Sequence, residues 1–393
     1  SGACMKNKGF ADLWSQNLMS NYAVPSITLV KGKGSIVFDA DGKKYIDMLG
    51  GIATNILGHS HPAVVSAVTR QIRTLSHVSN FYSHPNAIEL AQILVRLTGD
   101  KQSRVFFAQS GAEVNEAAIK LSRKTGRTRI VAMTGSFHGR TMGSLSLTGQ
   151  NSKKIAFAPL IKNVKHVAFG DIKKAKKAIN SRTAMVIVEP IMGEAGVIVP
   201  PLNYLKELRE ACTKNGALLV IDAVQTGIGR TGQWFGYEYS GIKPDVITVA
   251  KGLGAGLPLA AMIAVGKTSQ LFEPGDHGST FGGNPVTTAA SIAAIKWIEK
   301  NKILIKCKAD FKYLSSNINS IPGVFEVRGA GLLIGITFEK NISSELMHAL
   351  QEKGFLVNAA NPNTIRIAPA LNIPRKQLNQ FVKALKEVMS DVH

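Results

Sequence analysis

The chain has few cysteines and few aromatic residues. Its 393 residues include three cysteines, and aromatic side chains make up 7%. Cys4, Cys212 and Cys307 are odd in number and form no Cys-x-x-Cys pair. This pattern argues against a disulfide framework and against a structural zinc site. We therefore expect no metal and a reducing, cytoplasmic environment.

A long hydrophobic run is also missing. The longest apolar stretch, at residues 257–265, contains Pro258 and is shorter than the roughly 20 residues that cross a bilayer. The opening SGACMKNKGF resembles neither a secretory signal nor an arginine-rich transit peptide, and residues 1–4 are interpreted as a remnant of cloning. Apolar residues still amount to 45%, which is enough for a substantial core. The sequence indicates a globular protein of at least two lobes, with no membrane partner.

Acidic residues are scarce relative to basic ones. Lysine and arginine number 47 against 26 aspartate and glutamate, a net charge of +21, and lysines cluster at 153–177 and 300–312. Such charge can neutralise nucleic-acid phosphates, but no sequence motif of a nucleic-acid-binding fold accompanies it. We favour a solvated, lysine-rich surface that at most steers anionic substrates, and we expect no nucleic-acid partner.

Strand and helix patterns alternate through most of the chain. Asp41-Gly42 between alternating segments predicts a hairpin in an N-terminal arm, residues 1–45. Further strands are predicted at 104–108, 129–133, 185–189, 217–222 and 246–250, with helices at 113–123 and 204–214. This alternation predicts an α/β domain, residues 46–300, with a mainly parallel sheet between helices. Long helices around short strands then predict a smaller α+β domain, residues 301–393.

Three residues that follow two of the predicted strands carry the most chemical information. Asp222 and Gln225 follow one apolar strand, and Lys251 follows another. Ligands of open α/β sheets bind outside the carboxyl ends of strands. A carboxylate and an amine there can hold the two ends of a heteroaromatic cofactor, and a desolvated lysine can form a Schiff base. Taken singly, Asp222 is more often a cap and Lys251 a solvated loop residue; the combination favours a site.

Two further features are compatible with such a cofactor. Gln109-Ser110-Gly111-Ala112 joins a strand directly to a helix, so backbone N–H groups can bind an anion. The turn is neither a Walker loop nor GxGxxG, which favours a single phosphate ester over a nucleotide. Phe137 could stack on a pyridine ring, although taken alone it is more often a core residue.

Several motifs resemble those of one enzyme family. They are GGIATNILGHSHPAV, SGAEVNEAAIKLSR, FHGRTMGSLSLTG, EPIMGEAGVIVPP, DAVQTGIGRTG, AKGLGAGLP, HGSTFGGNP and IRIAPAL. In this order they are similar to the motifs of class III, fold-type I pyridoxal-phosphate aminotransferases, from the N-terminal arm to about Leu371. The resemblance implies a seven-stranded sheet, bound pyridoxal 5′-phosphate and a homodimer with shared active sites.

The resemblance also implies an activity. It is strongest to members that transfer the δ-amino group of N-acetylornithine to 2-oxoglutarate in arginine biosynthesis, giving N-acetylglutamate semialdehyde and glutamate. Members that use ornithine, succinyldiaminopimelate or 4-aminobutyrate are alternatives. A remote alternative is a non-catalytic, basic binding protein on the same fold, which the presence of Lys251, Asp222 and Arg140 opposes.

Cofactor-binding roles carry over by matching positions. Lys251 would form the Schiff base and shuttle a proton, and Asp222 would pair with the protonated pyridine nitrogen. Gln225 would hydrogen-bond the ring's phenolic oxygen. The other implied contacts are Val224 and Phe137 on opposite ring faces, Gly111 and Ala112 at the phosphate, and Thr280 at the phosphate of the partner subunit.

Substrate-binding roles carry over in the same way. Arg140 would hold the carboxylate distal to the reacting carbon, and Arg366 the α-carboxylate of glutamate, with Glu194 masking Arg366 when acetylornithine binds. Ser279 would contact acetylornithine, and Tyr22 would line the pocket entrance. The small and apolar neighbours of both arginines predict that they are buried and paired rather than surface residues.

Some residues are predicted to be structural, and one position departs from the family pattern. We interpret His59, His61, His138, Glu189 and Pro190 as structural. The residue after Asp222 is usually glutamate in this class and is alanine here, at position 223. We therefore expect Arg230 to lack a pairing partner.

Overall fold

In the computed structural model, which describes residues 4–392, the largest element is a seven-stranded sheet. Ala260–Ala264 runs antiparallel to both of its neighbours, and the other six strands share one direction. In spatial order the strands are Arg104–Ala108, Ala260–Ala264, Val246–Val249, Leu218–Asp222, Thr183–Val188, Arg129–Thr134 and Val164–Ala168. This confirms the predicted α/β class and mainly parallel sheet.

Helices cover both faces of this sheet. All six residues of Thr183–Val188 are buried, as expected for a strand covered on two sides. Its side chains alternate between two hydrophobic clusters, Met185 and Ile187 in one and Val186 and Val188 in the other. Helix Gly111–Arg123 contributes to the first cluster and helix Tyr204–Asn215 to the second.

The remaining α-helices flank the sheets or connect their strands. They are Asn7–Asn17, Pro62–Thr74, Pro85–Thr98, Met142–Leu147, Asn151–Lys154, Ile172–Ala178, Pro285–Lys300, Ile303–Asn319, Ser343–Glu352 and Arg375–Asp391. Short 3-10 helices occupy Ile155–Phe157, Glu238–Ser240, Lys251–Gly254 and Gly266–Gln270. The turn Gly50–Ala53 has left-handed backbone angles at four successive residues. Within the described residues, no helix is both long enough and apolar enough to cross a bilayer.

The predicted N-terminal hairpin is present. Ile36–Asp39 pairs antiparallel with Lys44–Asp47, and Leu29–Lys33 adds a third strand. Asp39 fixes the turn, because its Oδ1 accepts hydrogen bonds from the backbone N–H groups of Asp41 (3.0 Å) and Lys43 (2.9 Å).

A second four-stranded sheet lies in the C-terminal part of the chain. Its antiparallel strands are Val324–Ala330, Leu333–Phe338, Thr364–Ile367 and Asn358–Asn361 in spatial order. A further strand, Phe355–Leu356, instead pairs in parallel with Lys44–Asp47 of the hairpin. The smaller α+β unit is thus confirmed, and the boundaries at residues 45 and 300 stay a prediction.

The central strand should be sensitive to the loss of buried volume. Ile187→Ala should lower the free energy of unfolding by about 3 kcal/mol, because Ile187 is fully buried between sheet and helix. Ile305→Ala is the matched control, since Ile305 is 66% exposed, and should change that free energy by less than about 0.5 kcal/mol. Urea unfolding at one protein concentration measures both. Equal effects would contradict the assignment of Ile187 to the core.

Candidate active site

A cavity of about 660 Å³ lies where the parallel strands end at their carboxyl termini. This volume is within the usual range, about 300–1,000 Å³, of small-molecule sites, and the position is that expected of ligands in open α/β sheets. Nine of the predicted site residues line it: Gly111, Ala112, Phe137, Arg140, Glu194, Asp222, Val224, Gln225 and Lys251.

Asp222 is the last residue of its strand and is 3% exposed. Its Oδ1 accepts a hydrogen bond from the backbone N–H of Val224 (3.0 Å). Its Oδ2 accepts from Asn115 Nδ2 (3.0 Å) and lies 2.6 Å from His138 Nδ1. Because a carboxylate can only accept, the His138 proton is assigned to Nδ1. The carboxylate is therefore held in one orientation beside the cavity.

His138 was predicted to be structural, and its contact with Asp222 shows which side chain it positions. Its ring is buried, and its backbone C=O accepts from Asn115 Nδ2 at 2.8 Å. His138 and Asn115 are thus linked to each other as well as to Asp222. His138 orients the carboxylate, and its Nε2 has no hydrogen-bond partner among residues 4–392.

Lys251 approaches the cavity from the end of the next strand. It begins a 3-10 helix with a φ of +43°, a left-handed backbone that a non-glycine residue rarely adopts and that tends to occur at functional sites. Burial lowers the pKa of Lys251 from 10.5 to about 8, although Glu194 raises it. Arg366 lowers it further, and Asp222 and Glu189 raise it. The amine is therefore neutral over much more of the pH range than an exposed lysine.

The helix Gly111–Arg123 directs its first turn at the cavity. Ser110 caps it, since its side chain accepts from the backbone N–H of Glu113 (3.3 Å), and Glu113 Oε2 accepts from the backbone N–H of Gln109 (3.0 Å). The backbone N–H groups of Gly111 and Ala112 have no partner within the described part of the chain. A helix N-terminus with free N–H groups binds anions.

Phe137 and Val224 supply apolar walls. Both line the cavity, and the backbone N–H of Phe137 donates to Glu189 Oε2 at 3.2 Å. Glycine at position 111 allows a close approach here, because a Cβ would lie 3.0 Å from Val224 Cγ1, a tight contact. The strand–helix turn can therefore lie directly against Val224.

The two predicted substrate arginines differ in burial. Arg366 is 2% exposed, and its Nη1 donates to Glu194 Oε1 at 3.0 Å, so the predicted burial and pairing are confirmed. For Arg140 the same prediction was wrong: the residue is exposed and forms no ion pair with any described residue. Its guanidinium lies 5.7 Å from the Phe137 ring centroid. The small residues that flank Arg140 therefore did not indicate burial.

Glu194 has an unusually acidic carboxyl for its position. Burial raises the pKa of Glu194, but the Arg366 guanidinium and Lys251 more than offset this and lower it below the ordinary value. Glu189 behaves in the opposite way. Burial, together with the nearby Asp222 carboxylate, raises the pKa of Glu189 well above its usual range.

Four predicted residues do not line the cavity: Arg366, Tyr22, Thr280 and Ser279. Tyr22 is 70% exposed and Thr280 is exposed. Ser279 is half-buried, and its Oγ donates to Gln109 Oε1 at 3.0 Å. Gln109 does line the cavity, so Ser279 contacts a residue of the cavity wall without reaching the cavity itself.

The expectation for Arg230 is confirmed. Arg230 is fully buried, and within residues 4–392 its Nε and Nη2 have no partner. Its Nη1 donates to the backbone C=O groups of Leu332 and Pro369. Burial lowers the pKa of Arg230 to about 10.

Sequence reasoning missed the residues that support Asp222. Asn115 lies one helical turn after Gly111 and is 1% exposed, so a polar residue on an otherwise apolar helix face was the available signal. For His138 and Glu189 no comparable signal existed, because their contacts join segments 84 and 52 residues apart.

A buried carboxylate, a lysine of lowered pKa, two apolar walls and a helix N-terminus around one cavity are typical of pyridoxal-phosphate enzymes. The chemistry of each residue suits one part of that cofactor: Asp222 could hold the ring nitrogen, Lys251 the aldehyde, Phe137 and Val224 the ring faces, and Gly111–Ala112 the phosphate.

Comparison with known proteins identifies the family. Residues 18–389 match the family described as Aminotransferase class-III. The chain is 51% identical to acetylornithine aminotransferase of Mycolicibacterium smegmatis over 96% of this chain and 97% of that protein. It is 47% identical to acetylornithine aminotransferase of Streptomyces coelicolor, over 98% and 96%. The chain therefore belongs to the class III aminotransferases, which are pyridoxal-phosphate-dependent enzymes.

Solved structures agree with this assignment. Ornithine aminotransferase from Toxoplasma gondii has a TM-score of 0.94 at 27% identity, covering 99% of this chain and 96% of that chain. Acetylornithine aminotransferase from Elizabethkingia anophelis has a TM-score of 0.87 at 29% identity, covering 98% and 100%. The fold-type I architecture implied by the sequence motifs is confirmed.

The lowered pKa of Lys251 predicts how cofactor capture depends on pH. Only a neutral amine attacks an aldehyde, and the neutral fraction rises as pH increases through about 8 instead of 10.5. The rate of visible absorbance increase after adding pyridoxal 5′-phosphate to cofactor-free protein should therefore level off above about pH 8. A rate that keeps rising tenfold per pH unit up to pH 10 would contradict the lowered pKa. Lys251→Ala, which should show no such phase, is the control.

Proposed function

We propose that the protein transfers the δ-amino group of N-acetylornithine to 2-oxoglutarate, giving N-acetylglutamate semialdehyde and glutamate. The named relatives at 51% and 47% identity over nearly their full length support this choice. Within the structure, one observation carries it: Arg366 is buried and paired with Glu194, whereas Arg140 is exposed at the cavity and has no such partner.

The two arginines differ in burial and pairing, and the two substrates differ in their number of carboxylates. Glutamate and 2-oxoglutarate carry two carboxylates, and guanidinium groups bind carboxylates in bidentate fashion. Arg140 would hold the carboxylate distal to the reacting carbon, which in acetylornithine is the α-carboxylate. Arg366 would hold the α-carboxylate of glutamate.

Glu194 would serve as the anion for Arg366 when the substrate, acetylornithine, has no second carboxylate. The reacting δ-carbon of acetylornithine bears no carboxylate, so a bare Arg366 would be a buried, unpaired charge, which is costly. The 3.0 Å contact between Glu194 and Arg366 supplies the missing anion. A dicarboxylate would displace Glu194, whose side chain is 25% exposed and has room to move.

The cofactor would be held by groups already described. Pyridoxal phosphate supplies an electron-withdrawing ring that stabilises negative charge at the substrate carbon. Asp222 would keep the ring nitrogen protonated, and Gln225 would hydrogen-bond the phenolic oxygen. Phe137 and Val224 would exclude water from the two ring faces. The N–H groups of Gly111 and Ala112 would bind the phosphate.

Lys251 would be both the attachment point and the proton carrier. Its Nζ would hold the aldehyde of the cofactor and, as a free amine, would take up the proton that leaves the substrate carbon and give it back. An amine of pKa about 8 is well matched to this exchange near neutral pH.

A homodimer with shared active sites would complete the site. Thr280, outside the cavity of its own chain, would bind the phosphate in the partner subunit, and Ser279 and Tyr22 would contact substrate. Large apolar side chains that a partner could cover are exposed at Met19 (85%), Tyr22 (70%), Phe81 (94%) and Tyr82 (75%). We place the enzyme in the cytoplasm, with domains at residues 1–45, 46–300 and 301–393.

A spectroscopic half-reaction screen tests the proposed function. Protein loaded with pyridoxal phosphate is mixed with N-acetylornithine, succinyldiaminopimelate, ornithine or 4-aminobutyrate, and the loss of the visible band of lysine-bound cofactor is followed. Acetylornithine should discharge the band fastest, and Lys251→Ala should form no band. Faster discharge by another donor would reassign the substrate, and a band retained in Lys251→Ala would remove Lys251 from its role.

Glu194→Ala should separate the two half-reactions. Without its anion, Arg366 stays uncompensated while acetylornithine reacts, so that half-reaction should slow about tenfold, or about 1.4 kcal/mol. The glutamate half-reaction should be unchanged or faster, because nothing has to be displaced. Glu194→Gln, which keeps the shape without the charge, should fall between. Equal slowing of both half-reactions would contradict masking.

A further inference from the structure

The buried Arg366 guanidinium binds a second residue of the cavity besides Glu194. Its Nη1 also donates to Gln225 Oε1 at 3.0 Å, and its Nε donates to Asn358 Oδ1 at 3.2 Å. Arg366 itself does not line the cavity, whereas Gln225 does and is 7% exposed. The Gln225 side chain therefore contacts Arg366 and also lines the cavity.

This contact fixes which end of the Gln225 amide faces Arg366. A guanidinium can only donate, so the oxygen of the amide must be the end that faces Arg366. The other end, Nε2, carries two donors and forms no hydrogen bond with any residue in 4–392. Because Arg366 occupies the oxygen of this amide, the N–H donors of Gln225 are the part left to bind a ligand in the cavity that it lines.

Packing against Gly193 holds the amide in this position. A Cβ at Gly193 would lie 2.0 Å from Gln225 Oε1 and 2.2 Å from its Cδ, far inside van der Waals contact. Gly193 directly precedes Glu194, so the backbone that carries the masking glutamate also supports the amide.

We propose that Gln225 is a relay through which Arg366 controls the hydrogen bond to the cofactor's phenolic oxygen, so that the arginine acts on the cofactor as well as on the substrate carboxylate. The inference rests on the proposed function, because it requires the lysine-bound cofactor in this cavity. It assigns Gln225 and Arg366 a joint role as positioning residues.

The relay has a physical consequence at the lysine nitrogen. A donor to the phenolic oxygen withdraws electron density that would otherwise stabilise a proton on the neighbouring lysine-linked nitrogen. That nitrogen should therefore lose its proton at a lower pH when Gln225 Nε2 donates. If Arg366 is removed, the amide can turn its oxygen toward the ring, and this effect should be lost.

A double-mutant cycle tests the relay by the pH titration of the visible band. Gln225→Met should raise the titration midpoint by about one pH unit, the size of one hydrogen bond to a charged group. In the Arg366→Leu protein the same Gln225→Met change should have less than half that effect. The direct charge effect of Arg366 cancels in this comparison, because it is the same for both proteins within an arm of the cycle, present in one arm and absent from the other.

Two further variants control for indirect effects. Gly193→Ala would push the Gln225 amide aside without replacing Gln225 or Arg366. It should raise the titration midpoint as Gln225→Met does. Asn358→Leu removes a different neutral acceptor of the Arg366 guanidinium, one that does not line the cavity. This change should leave the titration midpoint unchanged.

The outcomes separate this inference from the proposed function. Equal effects of Gln225→Met with and without Arg366, or an Asn358→Leu shift as large as that of Gln225→Met, would overturn the relay while the band itself supports the proposed function. Wild-type protein that forms no visible band with pyridoxal phosphate would overturn the proposed function, and the relay with it.

Discussion

The site depends on one buried carboxylate held in a fixed orientation. Asp222 leaves its strand into the interior, where three donors from Val224, Asn115 and His138 orient it. These donors stabilise a charge that burial would otherwise make costly, and a cation on the cavity side completes the compensation. A protonated pyridine nitrogen is such a cation. The same edge of the sheet brings the Lys251 amine to the cavity, so the two residues at the ends of neighbouring strands would hold the cofactor at two atoms.

The two arginines near the cavity differ in exposure and in the number of groups that bind them. Arg140 is open to solvent and to ligands, whereas Arg366 is buried and shared between a charged and two neutral acceptors. Lys251 responds to both members of the Glu194–Arg366 pair in opposite directions. A rearrangement of this pair should therefore change the pKa of Lys251.

Local patterns were sufficient to predict five of the seven strands and the residues that follow them, which lie together because strand ends in a parallel sheet meet at one edge. Asp222, Lys251 and the turn before Gly111 belong to this group. Strands Val164–Ala168 and Ala260–Ala264 were not predicted from the pattern. The burial of Arg140 was predicted wrongly, since small neighbours say nothing about which side of a turn faces solvent. The supports of Asp222 required contacts between distant segments, as with His138, 84 residues away. Thr280 lies beyond the cavity of its own chain, so a single chain leaves its role a proposal.

The central claim is that Asp222 keeps the ring nitrogen of the bound cofactor protonated. The nitrogen-15 chemical shift of isotopically labelled pyridoxal phosphate, bound to the intact protein, reports that proton directly. A shift typical of a pyridinium, moving to that of a neutral pyridine in Asp222→Asn, is the predicted result. A neutral-pyridine shift in the wild-type protein at neutral pH would contradict the account.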